Sequence, residues 1–179
     1  MNAVPLRRPK PASTRRMPAD YLLIPSQHLA ARRRLHLLDL ENLCGSNHLT
    51  PSLIDFVIQA YLRDVVVEIS DLVIVGVSHH NMLDAGIALP GVRLCVRSGP
   101  DGADLALLDV LANEAIEERF DSVYIGTGDG IFATTIASLS SAGIDFTVVG
   151  GLGAMSRRLR MAARNLVQLS FDTLTQEHA

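Results

Sequence analysis

The sequence predicts an α/β domain: a mainly parallel sheet of five to six strands, with helices on both faces. Two observations carry this. Short apolar runs alternate along the chain with longer stretches whose apolar residues recur at helical spacing. The short runs are apolar nearly throughout, as strands buried on both faces are. Alternation of this kind builds βαβ units, which pack as parallel sheet. Hydrophobic residues make up 48% of the 179 residues and aromatics 4%, so the core is expected to be aliphatic.

Residues 1–34 read as a basic, proline-rich arm, expected to be flexible. Residues 35–172 form the domain and 173–179 a C-terminal tail. The arm carries eight basic residues against Asp20, a net +7; the remainder carries eight against 18 acidic ones, a net −10. Such an arm suits a polyanion. It suits equally a solvated tail, or one that folds back on its acidic domain. Lys10 is the only lysine, so phosphate contacts must come mainly from arginine. Pro5, Pro9, Pro11, Pro18 and Pro25 would break the amphipathic helix of a transit peptide. Within the arm, Tyr21-Leu22-Leu23-Ile24 is a candidate for a short packed strand.

The first strand of the domain is Leu35-His36-Leu37-Leu38, stopping on Asp39, with Glu41 and Asn42 after it and turn residues from Cys44 to Asn47. Thr50-Pro51 opens a helix with a cap and a proline at its first position. Leu53, Ile54, Val57, Ile58, Tyr61 and Leu62 line its apolar face. Asp71–Ser78 is the second strand, His79–Leu89 a short helix and Val92–Val96 the third strand. Ala103–Phe120 reads as the longest helix. Ser122–Ile125 is the fourth strand, Phe132–Ala142 a helix ended by Gly143, and Asp145–Val149 the fifth strand. A helix over about 154–163 and a sixth strand at Leu166–Leu169 complete the chain. No apolar run approaches the roughly 20 residues that cross a bilayer. Cys44 and Cys95 form no metal or redox pair and read as reduced thiols, which fits a cytoplasmic protein with no membrane partner.

In a parallel sheet every strand-to-helix loop lies on one edge, and ligands bind there. That edge gathers Asp39, Glu41 and Asn42, then Ser78, His79 and His80, then Asp101 and Asp104, then Thr127 and Asp129. Carboxylates held close raise one another's pKa or recruit a cation. An all-oxygen set suits Mg2+ or Mn2+, which activates water and stabilises charge on a phosphoryl oxygen. Asp101, Asp104 and Asp129 each have a second reading as helix caps. Asp39, at the end of a buried strand, has none from the sequence. His79 and His80 lack a third zinc ligand and read as a polar helix start. The glycines around Thr127 and at 150–153 suit a phosphate cradle. They match neither the dinucleotide fingerprint nor the P-loop, and no nucleophile elbow is present, which disfavours dehydrogenases, ATPases and serine hydrolases.

Three segments together resemble the motifs of NYN domains, within the PIN-like ribonuclease superfamily. They are Asp39-Leu40-Glu41-Asn42, then Gly102-Ala103-Asp104, then Thr127-Gly128-Asp129-Gly130-Ile131-Phe132, with Gly143–Gly150 fitting the continuation. The resemblance spans about residues 35–170. It implies a Rossmann-like three-layer sandwich (PIN-like) with strand order 3-2-1-4-5. It also implies a metal-dependent endoribonuclease, with Mg2+ or Mn2+ on Asp39, Asp104 and Asp129. Asn42 and Thr127 would then orient a ligand or the scissile phosphate, and RNA, expected single-stranded, would be the partner. A homodimer is compatible with this. The family's second aspartate is replaced here by Ile131, and Asp101 stands where a basic residue often precedes the second motif. The alternative function is therefore a non-catalytic PIN-like RNA-binding or regulatory module. On the metal-site reading Asp39→Asn should stabilise the metal-free protein slightly, and Asp104→Asn should destabilise it.

Overall fold

The computed structural model describes residues 33–171; the arm up to residue 32 and the tail from 172 lie outside them. The elements run β1 (Arg34–Asp39), α1 (Leu40–Cys44), α2 (Pro51–Asp64), β2 (Leu72–Ser78), a 3-10 turn (His79–Asn81) and α3 (Met82–Ala88). Then come β3 (Arg93–Arg97), α4 (Gly102–Asn113), α5 (Ile116–Arg119), β4 (Ser122–Gly126) and a 3-10 turn (Gly130–Phe132). α6 (Ala133–Ser141), β5 (Asp145–Gly150), α7 (Arg157–Ala162) and β6 (Asn165–Gln168) close the chain. The sheet order is β3-β2-β1-β4-β5-β6, and every pairing is parallel. This is a Rossmann-like α/β sandwich with β1 in the interior.

Strand parity sorts the core into two layers. Leu35 and Leu37 point to one face, packed with Ile74, Leu107, Val123 and Ile125 under α4, α6 and α7. His36 and Leu38 point to the other, where α1, α2 and α3 supply Leu43, Ile54, Val57, Tyr61 and Ala85. Each fully buried aliphatic side chain contributes about 1.5–3 kcal/mol of transfer free energy. Leu35 and Leu37 are completely buried and Leu38 nearly so, which commits β1 to the interior of the sheet.

At the edge where strands begin, a polar cluster ties β1 to β2. Asp71 accepts from the Arg34 backbone and guanidinium through one oxygen; the other faces His36 Nε2 at 3.3 Å and the Glu68 amide at 2.7 Å. His36 also meets the Tyr61 hydroxyl at 2.7 Å and stacks on Tyr124. Burial pushes the Asp71 carboxyl up; the bonds from His36 and Glu68, with the charges of His36 and Arg34, outweigh it and leave it below its ordinary range.

One expected element differs in kind. The helix foreseen over Ala103–Phe120 stops at Asn113, and α2 is longer. Ala115 turns left-handed at φ 48°, and the short α5 follows. An 18-residue helix would run about 27 Å, against about 17 Å for the five-residue strands beneath it. The turn at Ala115 brings Ile116 and Phe120 back into the core. Arg93 and Arg119 both bind Glu114 and fix the corner. Among the described residues no helix is long and apolar enough to cross a membrane.

Candidate functional site

The strand order reverses between β1 and β4, because the chain builds outward through β2 and β3 and then returns to the other side of β1. A crevice opens at such a switch point. Asp39 ends β1, and Thr127 follows β4 one step beyond the Leu38–Gly126 register pair. Both residues share the parity of Leu35, Leu37, Val123 and Ile125, so both face the α4 layer. The Thr127 hydroxyl donates to Asp39 Oδ2 at 3.0 Å.

Asp104 arrives from the first turn of α4. Gly76, paired with Asp39 across β1 and β2, allows this. A Cβ there would stand 2.6 Å from the Leu107 side chain and 3.0 Å from the Ala103 carbonyl. Asp129 completes the group at the foot of the 3-10 turn, where its Oδ1 accepts from the Ile131 amide at 2.8 Å. Asp39, Asn42, Asp104 and Asp129 all line one cleft of about 450 Å3, with Asp101 on its rim. Thr127 is fully buried behind it.

Asp39 does have a structural role after all. It caps α1, accepting from the Asn42 amide at 3.2 Å through Oδ1, and from Asn42 Nδ2 at 2.6 Å through Oδ2. Asn42 thus holds Asp39 through its Nδ2 while lining the same cleft. Asp101, expected as a cap, takes the N-cap position of α4 in a left-handed conformation at φ 55°, but its side chain makes no capping bond. Asp129 does cap its turn. Asp109 lies outside the cleft, on Arg97 at 2.9 Å.

Asp104 is the acid without a structural explanation. It is 7% exposed, and its Oδ1 is buried with no hydrogen-bond partner. Burial first, then the charge of Asp39 and a hydrogen bond to it, then the charges of Asp129 and Asp101, push its carboxyl up to about 8. Burial also raises Asp39, while the bonds from Asp104, Asn42 and Thr127 pull against that rise. The pair thus shares a proton at neutral pH, formally on Asp104. An orphaned carboxylate oxygen beside two further carboxylates in one cleft fits a hard divalent ion. Among the described residues, though, no three carboxylate, imidazole or thiol groups are already closed around one point as a metal centre. Cys44, pushed up to about 12 by burial and the charges of Glu41 and Asp39, is no nucleophile.

The second wall of the cleft was only half visible in the sequence. Glu41 Oε1 accepts from the Ser78 amide at 2.9 Å, the Ser78 hydroxyl at 2.5 Å and Asn81 Nδ2 at 2.8 Å. Asn81, which the sequence reading did not single out, is 3% exposed and also takes the Leu49 amide. His80 bonds the Asn47 carbonyl at 2.7 Å. The glycines at 150–153 are not a phosphate cradle: the Leu152 and Gly153 amides donate to the Leu43 and Asn42 carbonyls and seat α1.

No protein-family model matches the chain, and no curated protein matches it. Among solved structures, a Vibrio parahaemolyticus protein of unknown function has the same fold. It is 16% identical, with a TM-score of 0.52, matched over 82% of this chain and 98% of that one.

Proposed function

We propose that the chain is a metal-dependent endoribonuclease that hydrolyses RNA phosphodiester bonds at the Asp39–Asp104–Asp129 cluster. The observation that carries this is Asp104: a buried carboxyl with an orphaned oxygen, held beside two other acids in an open cleft. The NYN-like motifs fall on the same three aspartates. Mg2+ or Mn2+ held by these residues would activate water and stabilise charge on the phosphoryl oxygen. The chain's own part is preorganisation. Asn42 and Thr127 fix the Asp39 carboxylate, Gly76 lets Asp104 approach, and the Ile131 amide aims Asp129. The shared proton must leave before a cation binds, so metal affinity should rise with pH.

A second reading, a non-catalytic RNA-binding module, draws on Ile131. It is 36% exposed, at the position where the family carries a further aspartate. One assay separates the two: single-stranded RNAs incubated with Mg2+, Mn2+ or EDTA, using wild type and Asp39→Asn. Cleavage is expected with either metal and lost in EDTA and in the variant. RNA left intact by wild type in both metals would reject the nuclease.

A further inference from the structure

The eight arginines after Arg34 divide into two groups. Arg63, Arg93, Arg97 and Arg119 each pair with a carboxylate. Arg157, Arg158, Arg160 and Arg164 stand on α7 and its exit, all exposed, and none has an ion pair among the described residues. The sequence explains why. No acidic residue occurs between Asp145 and Asp172, so this segment has no local counter-charge in a domain that is otherwise acidic.

A charge run is ordinarily a solvated face. Place and geometry set this one apart. Leu159 is fully buried and anchors the helix; at 100° per residue Arg157 points almost directly away from it, and Arg158 and Arg160 project from its two flanks. α7 follows β5, and its first turn begins at the site edge of the sheet. The Arg158 Cβ lies 3.6 Å from where a Cβ on Gly130 would stand, one residue from Asp129. Arg158 itself is steadied by Thr134 Oγ1 at 2.8 Å. A strip of unneutralised guanidinium groups thus starts beside the acidic cleft and runs away from it on the same face of the sheet. Guanidinium suits phosphate in particular, through its paired N–H donors.

We infer that Arg157, Arg160 and Arg164 grip the phosphate backbone of single-stranded RNA along a track that leaves the cleft and follows α7 to the start of β6, with Arg158 at its cleft end. The inference rests on the nuclease reading only for the choice of polyanion. It moves part of the RNA contact from the N-terminal arm onto the domain itself.

The test is binding of the full chain to a labelled oligouridylate in EDTA, where cleavage plays no part. Each neutralised phosphate steepens the fall of log K with log salt by ~0.7 on single strands. Replacing Arg157, Arg160 and Arg164 with alanine should reduce that slope by about 2, so the affinity lost is roughly tenfold to twentyfold greater at 50 mM than at 200 mM salt. Arg63→Ala removes a cation that Asp64 already neutralises, and should leave the slope unchanged. An unchanged slope in the triple variant overturns the inference, as does an equal loss in both variants. So does a triple variant that loses only its binding to phosphatidylserine vesicles. A chain that shows the expected slopes and never cleaves RNA rejects the nuclease and leaves the arginine surface standing.

Discussion

At the scale of single residues, the structure exchanges the roles of Asp39 and Asp104. The sequence suggested that removing the Asp39 charge would relieve repulsion and that Asp104 supported a helix. The geometry argues for the opposite sign at Asp39, and for the opposite sign at Asp104 only at high pH, in the metal-free protein. At about pH 6 the pair holds one proton, and the charge left on Asp39 receives the Asn42 and Thr127 bonds. Asparagine at 39 offers one acceptor where two are used, so Asp39→Asn should cost about 1 kcal/mol or more through the lost cap. Asp104→Asn mimics the protonated acid and keeps a donor for Asp39. It should be nearly neutral at about pH 6 and raise the melting temperature in EDTA at about pH 9, where wild type must hold a buried charge. Thermal melts of both variants at the two pH values decide it; a lower melting temperature for Asp104→Asn at the higher pH would contradict this account. The cap at Asp39 was illegible in the sequence for a local reason. The apolar run continues through Leu40, and the five-residue α1 is too short to show a helical period.

Among the elements, α4 carries the site, and Gly76 sets its distance from the sheet. Gly76→Ala forces a methyl against Leu107 and the Ala103 carbonyl, neither of which has room to yield without moving the helix. Overpacking of this kind costs about 1–3 kcal/mol. The displacement should also part Asp104 from Asp39 and weaken Mn2+ binding. The corresponding change at Gly86, which has no atom within 4 Å of its Cβ position, is the control. Titrating Mn2+ against the melting temperature of both variants checks this, and equal metal shifts in the two would discount Gly76 as the spacer. The strands were readable because each is a short apolar run bounded by turns. The corner at Ala115 was not, because Ala103–Phe120 keeps an unbroken helical pattern. Only the depth of the sheet below dictates the stop. α7 was legible as a helix but not as a surface, since its significance lies in which arginines elsewhere are already paired.

Over the whole molecule the two edges of the sheet titrate in opposite directions. At the edge where strands begin, Asp71 is held below its ordinary range by Arg34, His36 and the Glu68 amide. Its stabilising contribution is present above the unfolded carboxyl pKa and is lost as pH falls through the depressed value. At the edge where they end, Asp104 is held up at about 8. Between about pH 4 and 8 the native state then binds a proton that the unfolded chain has released, so stability falls as pH rises, by at most about 1.4 kcal/mol per pH unit. Together these place the stability maximum of the metal-free protein near pH 4–5, below the usual range of about 5–8. A divalent ion held by the carboxylates, as proposed, would replace the proton and reverse the slope at that edge. Its stabilisation follows RT ln(1 + [L]/Kd) and should grow toward pH 8 as the competing proton leaves. Urea unfolding in EDTA and in excess Mn2+, at about pH 5, 6.5 and 8, measures both effects. The expected result is a fall in stability with pH in EDTA and a level or rising profile in Mn2+. Parallel profiles that both rise with pH would mean that the Asp39–Asp104 pair holds no proton, and that the acidic edge is built without a cation in view.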